Sequence, residues 1–226
     1  MVTTEGQCAV CSKPGKLCAS CENIHYCGRD CQKADWKVHK LLCRSFKDAR
    51  DPPGPNMVRV IAFPEDDTNP KFLWMPIDDE EAYRSPLPGD YFHGCDPRLE
   101  RASFTRDLKT DEPLPLCIII QTRAYFQVDG SLPNKSVNHL TNGKPRQKWA
   151  GPILFFGNVL ETEDDDHNTI WECINLDTTH LNVIKTRLAI PDFKTPEDKA
   201  FWEEMKAKGD VFSFAEMAEA LEKMAK

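Results

Sequence analysis

A chain of 226 residues with 40% hydrophobic and 29% charged side chains has the composition of an ordinary folded protein and enough length to bury a core. No run approaches the ~18 apolar residues of a membrane span, and the start, MVTTEGQC, has no basic segment leading into an apolar one, so neither a membrane helix nor a secretory signal is expected. In the reducing intracellular setting this implies, nuclear or cytoplasmic, the ten cysteines are expected to serve metal or catalysis rather than a disulfide framework.

Seven of those cysteines crowd into the first segment, as Cys8-x2-Cys11-x6-Cys18-x2-Cys21-x5-Cys27-x3-Cys31-x7-His39-x3-Cys43. Eight S and N donors make two closed tetrahedral zinc sites, because a Cys-x2-Cys pair presents two sulfurs from one tight turn and an x3 spacing places two donors on one helical face. Crossing the pairs leaves fifteen residues between Cys11 and Cys27 and seventeen between Cys21 and His39. Both gaps fall in the range of about 15–20 residues usual between paired zinc knuckles. This assigns Cys8, Cys11, Cys27 and Cys31 to one Zn²⁺, and Cys18, Cys21, His39 and Cys43 to the other. With four protein donors at each metal no position is left for water, which argues against catalytic zinc. His25, a ninth donor type, has no vacancy to fill and is read as a surface or packing residue.

Charge divides near residue 50: nine Lys/Arg stand against five Asp/Glu before it, and twenty against thirty-one after it. A basic module would suggest nucleic acid. Seven ligand thiolates and two Zn²⁺ remove about three of its charges, leaving it near +1 and making nucleic acid an unfavoured partner.

The ligand pattern, with His25-Tyr26-Cys27, Cys31-Gln32, Asp35-Trp36 and His39-Lys40, resembles the MYND zinc finger over residues 8–43. That resemblance implies an interleaved two-zinc fold with little regular structure that docks short proline-containing peptides of partner proteins. It places the peptide groove beside Gln32 and Trp36, with Tyr26 as a third presented residue. Trp36 could equally roof a zinc knuckle, since aromatics serve both small cores and recognition surfaces.

Residues 51–56, Asp-Pro-Pro-Gly-Pro-Asn, read as a stiff linker closing the finger module of residues 1–50. Short branched or aromatic runs follow at Val58–Phe63, Phe72–Met75, Cys117–Thr122, Tyr125–Val128, Ile153–Phe156 and Ile170–Ile174. They predict a mainly antiparallel β domain over residues 57–190, with Asp129-Gly130 and the acidic run Glu161–Asp166 in turns. Asp177 is placed to cap a short helix ending near Leu188. Residues 191–226 read as a helical tail packed on the β domain: Thr195-Pro196 starts one helix, and Ser213 to Glu216 is a capping box for a second.

The fold class is therefore α+β, and the function expected is that of a non-enzymatic adaptor or regulatory protein. Two alternatives stand beside it: a divergent MYND-associated protein methyltransferase and a nucleic-acid-binding regulator. Methyltransferases of the SET class carry an Asn-His pair followed closely by Cys. Here Asn138-His139 is followed by Leu140-Thr141-Asn142, with no cysteine. Cys95, Cys117 and Cys173 lack a neighbouring base and are expected to be buried structural thiols.

Overall fold

The computed structural model describes residues 6–78, 84–92, 98–163 and 169–189. Two short strands, β1 (Lys16–Leu17) and β2 (His25–Tyr26), pair antiparallel and lead into the twenty-residue helix α1 (Arg29–Asp48). So long a helix corrects the expectation of little regular structure in this segment. Gly28 enters α1 in an extended conformation without a side-chain cap. The helix turns Val38, His39, Leu42, Cys43 and Phe46 inward at spacings of three and four. Its inner face therefore alternates metal ligands with core side chains.

The remaining strands are β3 (Met57–Phe63), β4 (Lys71–Asp78), β5 (Ser85–Pro86), β6 (Leu99–Arg106), β7 (Pro113–Arg123), β8 (Ile153–Glu163) and β9 (Thr169–Ile174). They form one antiparallel sheet in the order β5-β4-β3-β8-β7-β6, with β9 also pairing β8. β8 is central: β3 pairs with its start (Phe63 opposite Ile153) and β9 with its later part (Gly157 opposite Ile174). The sheet curls so that Arg84, just before β5, donates its N–H to the Trp171 carbonyl on β9. The helix α2 (Lys135–Leu140), the helix α3 (Leu181–Ala189) and two 3₁₀ turns, at Gly89–Phe92 and, just before α3, at Thr178–His180, complete the described elements.

Both faces are buried at the central strands β3, β7 and β8, which is why these read as unbroken apolar runs instead of alternating ones. Ile61, Phe63, Ile118, Ile120, Ile153 and Phe155 face the core that includes α1. Val58, Val60, Ala62, Ile119, Leu154 and Phe156 face a second cluster with Met75 and Phe92. The stretch read as a linker does not separate two cores. Leu42 and Phe46 of the finger belong to the same cluster as Ile61 and Phe63 of the sheet, and the Phe46 and Phe72 rings meet edge to face at 5.4 Å. Residues 51–56 are mostly bends.

Arg59 of β3 pins the two parts together. Its Nε donates to the Leu176 carbonyl at 2.8 Å, and its Nη1 donates to the carbonyls of Ala49 and Arg50, at 3.2 Å each, just past the end of α1. The guanidinium lies 4.4 Å from the Phe46 ring centroid, with Phe72 and Trp74 at 5.6 and 5.4 Å. A cation at a helix C-terminus meets the orphan carbonyls and the negative end of the dipole. Burial lowers the pKa of Arg59, and the nearby Asp177 charge opposes that shift. Further ties between the parts run from Thr178 Oγ1 to Asn23 at 2.8 Å and from Asn182 Nδ2 to Asp35 at 2.9 Å, and within the finger Arg50 Nη2 donates to the Cys21 carbonyl at 3.0 Å.

The expected cap at Asp177 is present: its carboxylate accepts from the N–H of Thr179 at 2.8 Å, and its own N–H donates to His180 Nδ1 at 3.0 Å. Burial pushes the Asp177 carboxyl up, but the facing His180 ring and the Thr179 donors outweigh it and bring the group down to about 2. Tyr125–Val128, expected as a strand, is a series of turns. The Arg123–Asp129 ion pair at 3.0 Å and Gly130 at φ +87 close that loop. The acidic run begins inside β8, which extends to Glu163; residues 164–168 and the tail 191–226 lie outside the described residues.

Two stability outcomes are expected. Arg59→Lys keeps the charge but loses the planar fork, and should lower the unfolding free energy by about 2 kcal/mol in denaturant titration. Asp177→Ala should cost about 1–2 kcal/mol at neutral pH. Because the folded carboxyl ionises below the unfolded one, that contribution is present above about pH 4, so the gap between the two proteins should narrow as pH falls further.

Candidate metal centres and the outer face of the finger

The fold brings the eight donors together as two interleaved groups: Cys8, Cys11, Cys27 and Cys31, and Cys18, Cys21, His39 and Cys43. Within each group the ligand atoms all lie within 4.8 Å of one another. In the first, the Sγ separations are 3.4 Å for Cys11–Cys27, 3.5 Å for Cys27–Cys31 and 3.8 Å for Cys31–Cys11. In the second, Cys18–Cys43 is 4.0 Å and Cys21 Sγ to His39 Nε2 is 3.6 Å. A tetrahedral zinc with Zn–S of ~2.3 Å places its sulfurs ~3.8 Å apart, so the donor types and spacings fit two Zn²⁺.

Each site takes one Cys-x2-Cys knuckle and one pair from the β2–α1 region. The two knuckles share a turn: Ser12 N–H donates to the Cys8 carbonyl at 2.9 Å and Glu22 N–H to the Cys18 carbonyl at 2.8 Å. The residue after the second cysteine, Ser12 or Glu22, takes a left-handed conformation (φ 58 and 51). Gly15 is required at the β1–β2 crossing, where a Cβ would come within 2.8 Å of the Tyr26 carbonyl carbon. His39 and Cys43 share one face of α1 as the spacing predicts. Cys27 lies before the helix begins at Arg29, so its pair with Cys31 bridges the helix start rather than one helical face.

The electrostatics also ask for a cation. Burial pushes the Cys8 thiol up, but the N–H groups of Cys27, Val10 and Cys11 more than offset it and bring it down to about 6. Other thiols resist: in the same group hydrogen bonding to Cys27, then burial, pushes Cys31 up to about 12, and in the second group burial, with the charges of Cys18 and Cys43, pushes Cys21 up to about 12. A dication at each centre allows the full set to ionise. Burial lowers the His39 pKa, against the Asp35 charge, and so favours the neutral ring that ligates metal.

Of the three residues assigned to a peptide surface, the structure leaves two outside. Tyr26 is only 6% exposed, and its hydroxyl donates to Asp35 at 2.6 Å. Burial and that carboxylate push its pKa up. Tyr26 is thus a strut beneath α1, correcting its assignment to the surface. Trp36 is 44% exposed and its ring stands 5.9 Å from that of His39; Gln32, one turn earlier, is half-buried. His25, half-buried in β2, belongs to neither donor group. Pro113–Leu116, a sequence able to mimic a peptide ligand, is the start of β7, with Leu116 buried. It lies against Thr179, His180 and Val183.

Elsewhere the chain offers little chemistry. Asn138 and His139 are exposed on α2, and His139 Nδ1 lies 2.8 Å from the Thr68 carbonyl. Burial pushes the Cys173 thiol up to about 11 and raises that of Cys117, as suits structural thiols. Cys95 lies outside the described residues. A cleft of ≈ 550 Å³ that sequence reasoning did not foresee separates the finger (Val10, Ala34) from the β6–β7 hairpin (Asp107, Glu112) and α3 (Asn182, Thr186). Its walls come from three segments about seventy or more residues apart, so no local pattern announces it. No helix among the described residues is long and apolar enough to cross a membrane.

With donor sets, interleaving and zinc-compatible spacing established, the comparison with known proteins is decisive for this segment: the family model for the MYND finger matches residues 8–43. Residues 8–43 are a MYND zinc finger. The chain is 54% identical over 41 residues to the zinc finger MYND domain-containing protein 10 homolog of Drosophila melanogaster, covering 18% of this chain and 9% of that protein. It is 41% identical over 46 residues to the SET domain and MYND-type zinc finger protein 6 of Schizosaccharomyces pombe (19% and 10%). It is 37% identical over 59 residues to Egl nine homolog 1 of Mus musculus (25% and 15%). The similarity thus spans about a tenth of the first two relatives and a quarter of this chain or less. No solved structure matches the chain.

The purified protein should carry two zinc ions by elemental analysis, and Cys18→Ser should lower this to about one. Cys11 and Cys27 are exposed whereas all four donors of the second site are buried, so a chelator should release zinc in two phases, the first site leading. Loss of the second zinc should also speed amide exchange in β3 and β4, because the MYND finger and the sheet share a core.

Proposed function

We propose that the protein is a non-enzymatic docking protein whose MYND finger receives a proline-containing segment of a partner against Trp36 and Gln32. The observation that carries this reading is Trp36, nearly half exposed on a helix whose inner face is clamped to metal and core. A polyproline-type segment arrives already extended, so it loses little entropy on docking, and it needs an aromatic surface with a few amide-type hydrogen bonds. Trp36 supplies the first and Gln32 the second. The closed donor sets support binding rather than catalysis, since they organise a surface and leave no metal position for a reactant. The resemblance to SET-containing relatives is confined to the finger, and the exposed Asn138-His139 pair is not followed by a cysteine. Both points weigh against the methyltransferase reading.

Proline-leucine peptides titrated into the labelled protein should shift resonances around Gln32 and Trp36. Trp36→Ala, checked to retain two zinc ions, should weaken binding by about 2 kcal/mol, and Gln32→Ala by about 1 kcal/mol. Unchanged affinity in both metal-replete variants would remove this groove from the function. Calorimetry with S-adenosylmethionine should give no saturable heat, and methyl transfer to a protein substrate would replace the docking reading with the enzymatic one.

A further inference from the structure

The solvent side of α1 is cationic along nearly its whole length. Arg29, Lys33, Lys37, Lys40, Arg44 and Lys47 are all exposed and recur at spacings of three and four. At about 100° per residue they fall within an arc of about 80°, and they extend for about 27 Å along the axis. Among the described residues no ion pair joins any of them to a carboxylate. The exposed acids of the helix, Asp30 and Asp48, stand at its two ends. Toward its C-terminal half the arc borders a cleft of ≈ 410 Å³, where Lys40 and Arg44 face Lys71 and His139, with Asp48 and Asp67 also on the wall.

Solubility alone does not ask for this arrangement. Like charges three or four apart destabilise a helix, and Arg29 and Lys33 in the opening turns oppose its dipole. Interspersed signs would keep the helix equally well hydrated. Cys31, His39 and Cys43 fasten α1 from the other side, so it persists despite the repulsion. The arc also stands on a molecule of net charge −7, opposite in sign to its surroundings.

We propose that this arc is a docking surface for an acidic segment of a partner protein, with carboxylates spaced to follow the helix. Oppositely charged groups set along the arc relieve the repulsion among its cations and hold the segment in register. Nucleic acid fits less well. Its backbone continues past the ridge over a body whose residues 51–226 carry thirty-one acidic against twenty basic side chains. The surface adjoins Trp36 but does not rest on the proline-groove reading, and the test separates the two.

The zinc-loaded full chain is titrated with three labelled probes: a proline-free peptide of about 20 residues with glutamates three and four apart, a peptide of the same composition with its glutamates clustered, and a DNA duplex. The spaced peptide should bind tightest, and its affinity should fall as salt is raised. Lys37→Gln, Lys40→Gln and Arg44→Gln combined should weaken it about tenfold or more, whereas Lys37→Arg, Lys40→Arg and Arg44→Lys combined should retain it. Trp36→Ala should leave it unchanged, which separates this surface from the proline groove. Glutamine keeps helix propensity close to that of lysine, and zinc content confirms that each variant is folded. Absence of saturable peptide binding, equal binding by the glutamine variant, or tighter binding of the duplex than of the spaced peptide would overturn the proposal. So would self-association of the wild type that the glutamine variant abolishes, which would make the occupant a second copy of this chain.

Discussion

Helix α1 has no N-terminal side-chain cap and carries a row of like charges on its outside, and the rest of the molecule is arranged around keeping it in place. The constraint that does so is metal ligation at three points along its length, Cys31, His39 and Cys43, each tied to a donor brought from the N-terminal knuckles. Leu42, between the last two of those points, and Phe46, one turn beyond them, reach the sheet. One helix is therefore both a wall of the metal centres and a layer of the main core. A segment of about forty residues has too little apolar surface to fold on burial alone, and here it draws on metal and on the sheet together.

Arg59 shows what that sharing costs and contributes. A guanidinium under a helix terminus gives up most of its hydration, which the carbonyls of Ala49, Arg50 and Leu176 and three aromatic faces replace. Its reach joins the end of α1, strand β3 and the approach to α3 through one side chain. The same logic holds at Asp35, which accepts from Tyr26 of the finger and from Asn182 of α3, so a ligand-bearing helix is braced by residues distant in the chain.

The metal centres were legible because tetrahedral chelation leaves donors at fixed offsets and the gaps between pairs select the crossed assignment. The strands through Val58–Phe63 and Ile153–Phe156 were legible because a sheet buried on both faces needs continuous apolar residues. Strand β6 was not: it is an edge strand whose Glu100, Arg101 and Ser103 face solvent, so it carries no apolar signal. Tyr125–Val128 failed in the opposite sense, being apolar yet a turn with Tyr125 and Val128 exposed. Tyr26 was misread because a motif aromatic looks the same whether it props a helix or greets a partner, and only the bond to Asp35 decides. The joining of finger to sheet was hidden altogether, since the proline-rich stretch at residues 51–56 signals stiffness but not direction.

That joining bears on how such a finger travels between proteins. Cut after Arg50, it would carry the Phe46 ring and the inner edge of Leu42 into water and leave Arg59 behind with only the Leu176 carbonyl of its three acceptors. A zinc module of this build is not a bead that can be restrung at will. A new host must offer it an apolar seat and a cation for the end of its helix, so recombination that moves the ligands alone would deliver the metal centres without the platform that steadies them.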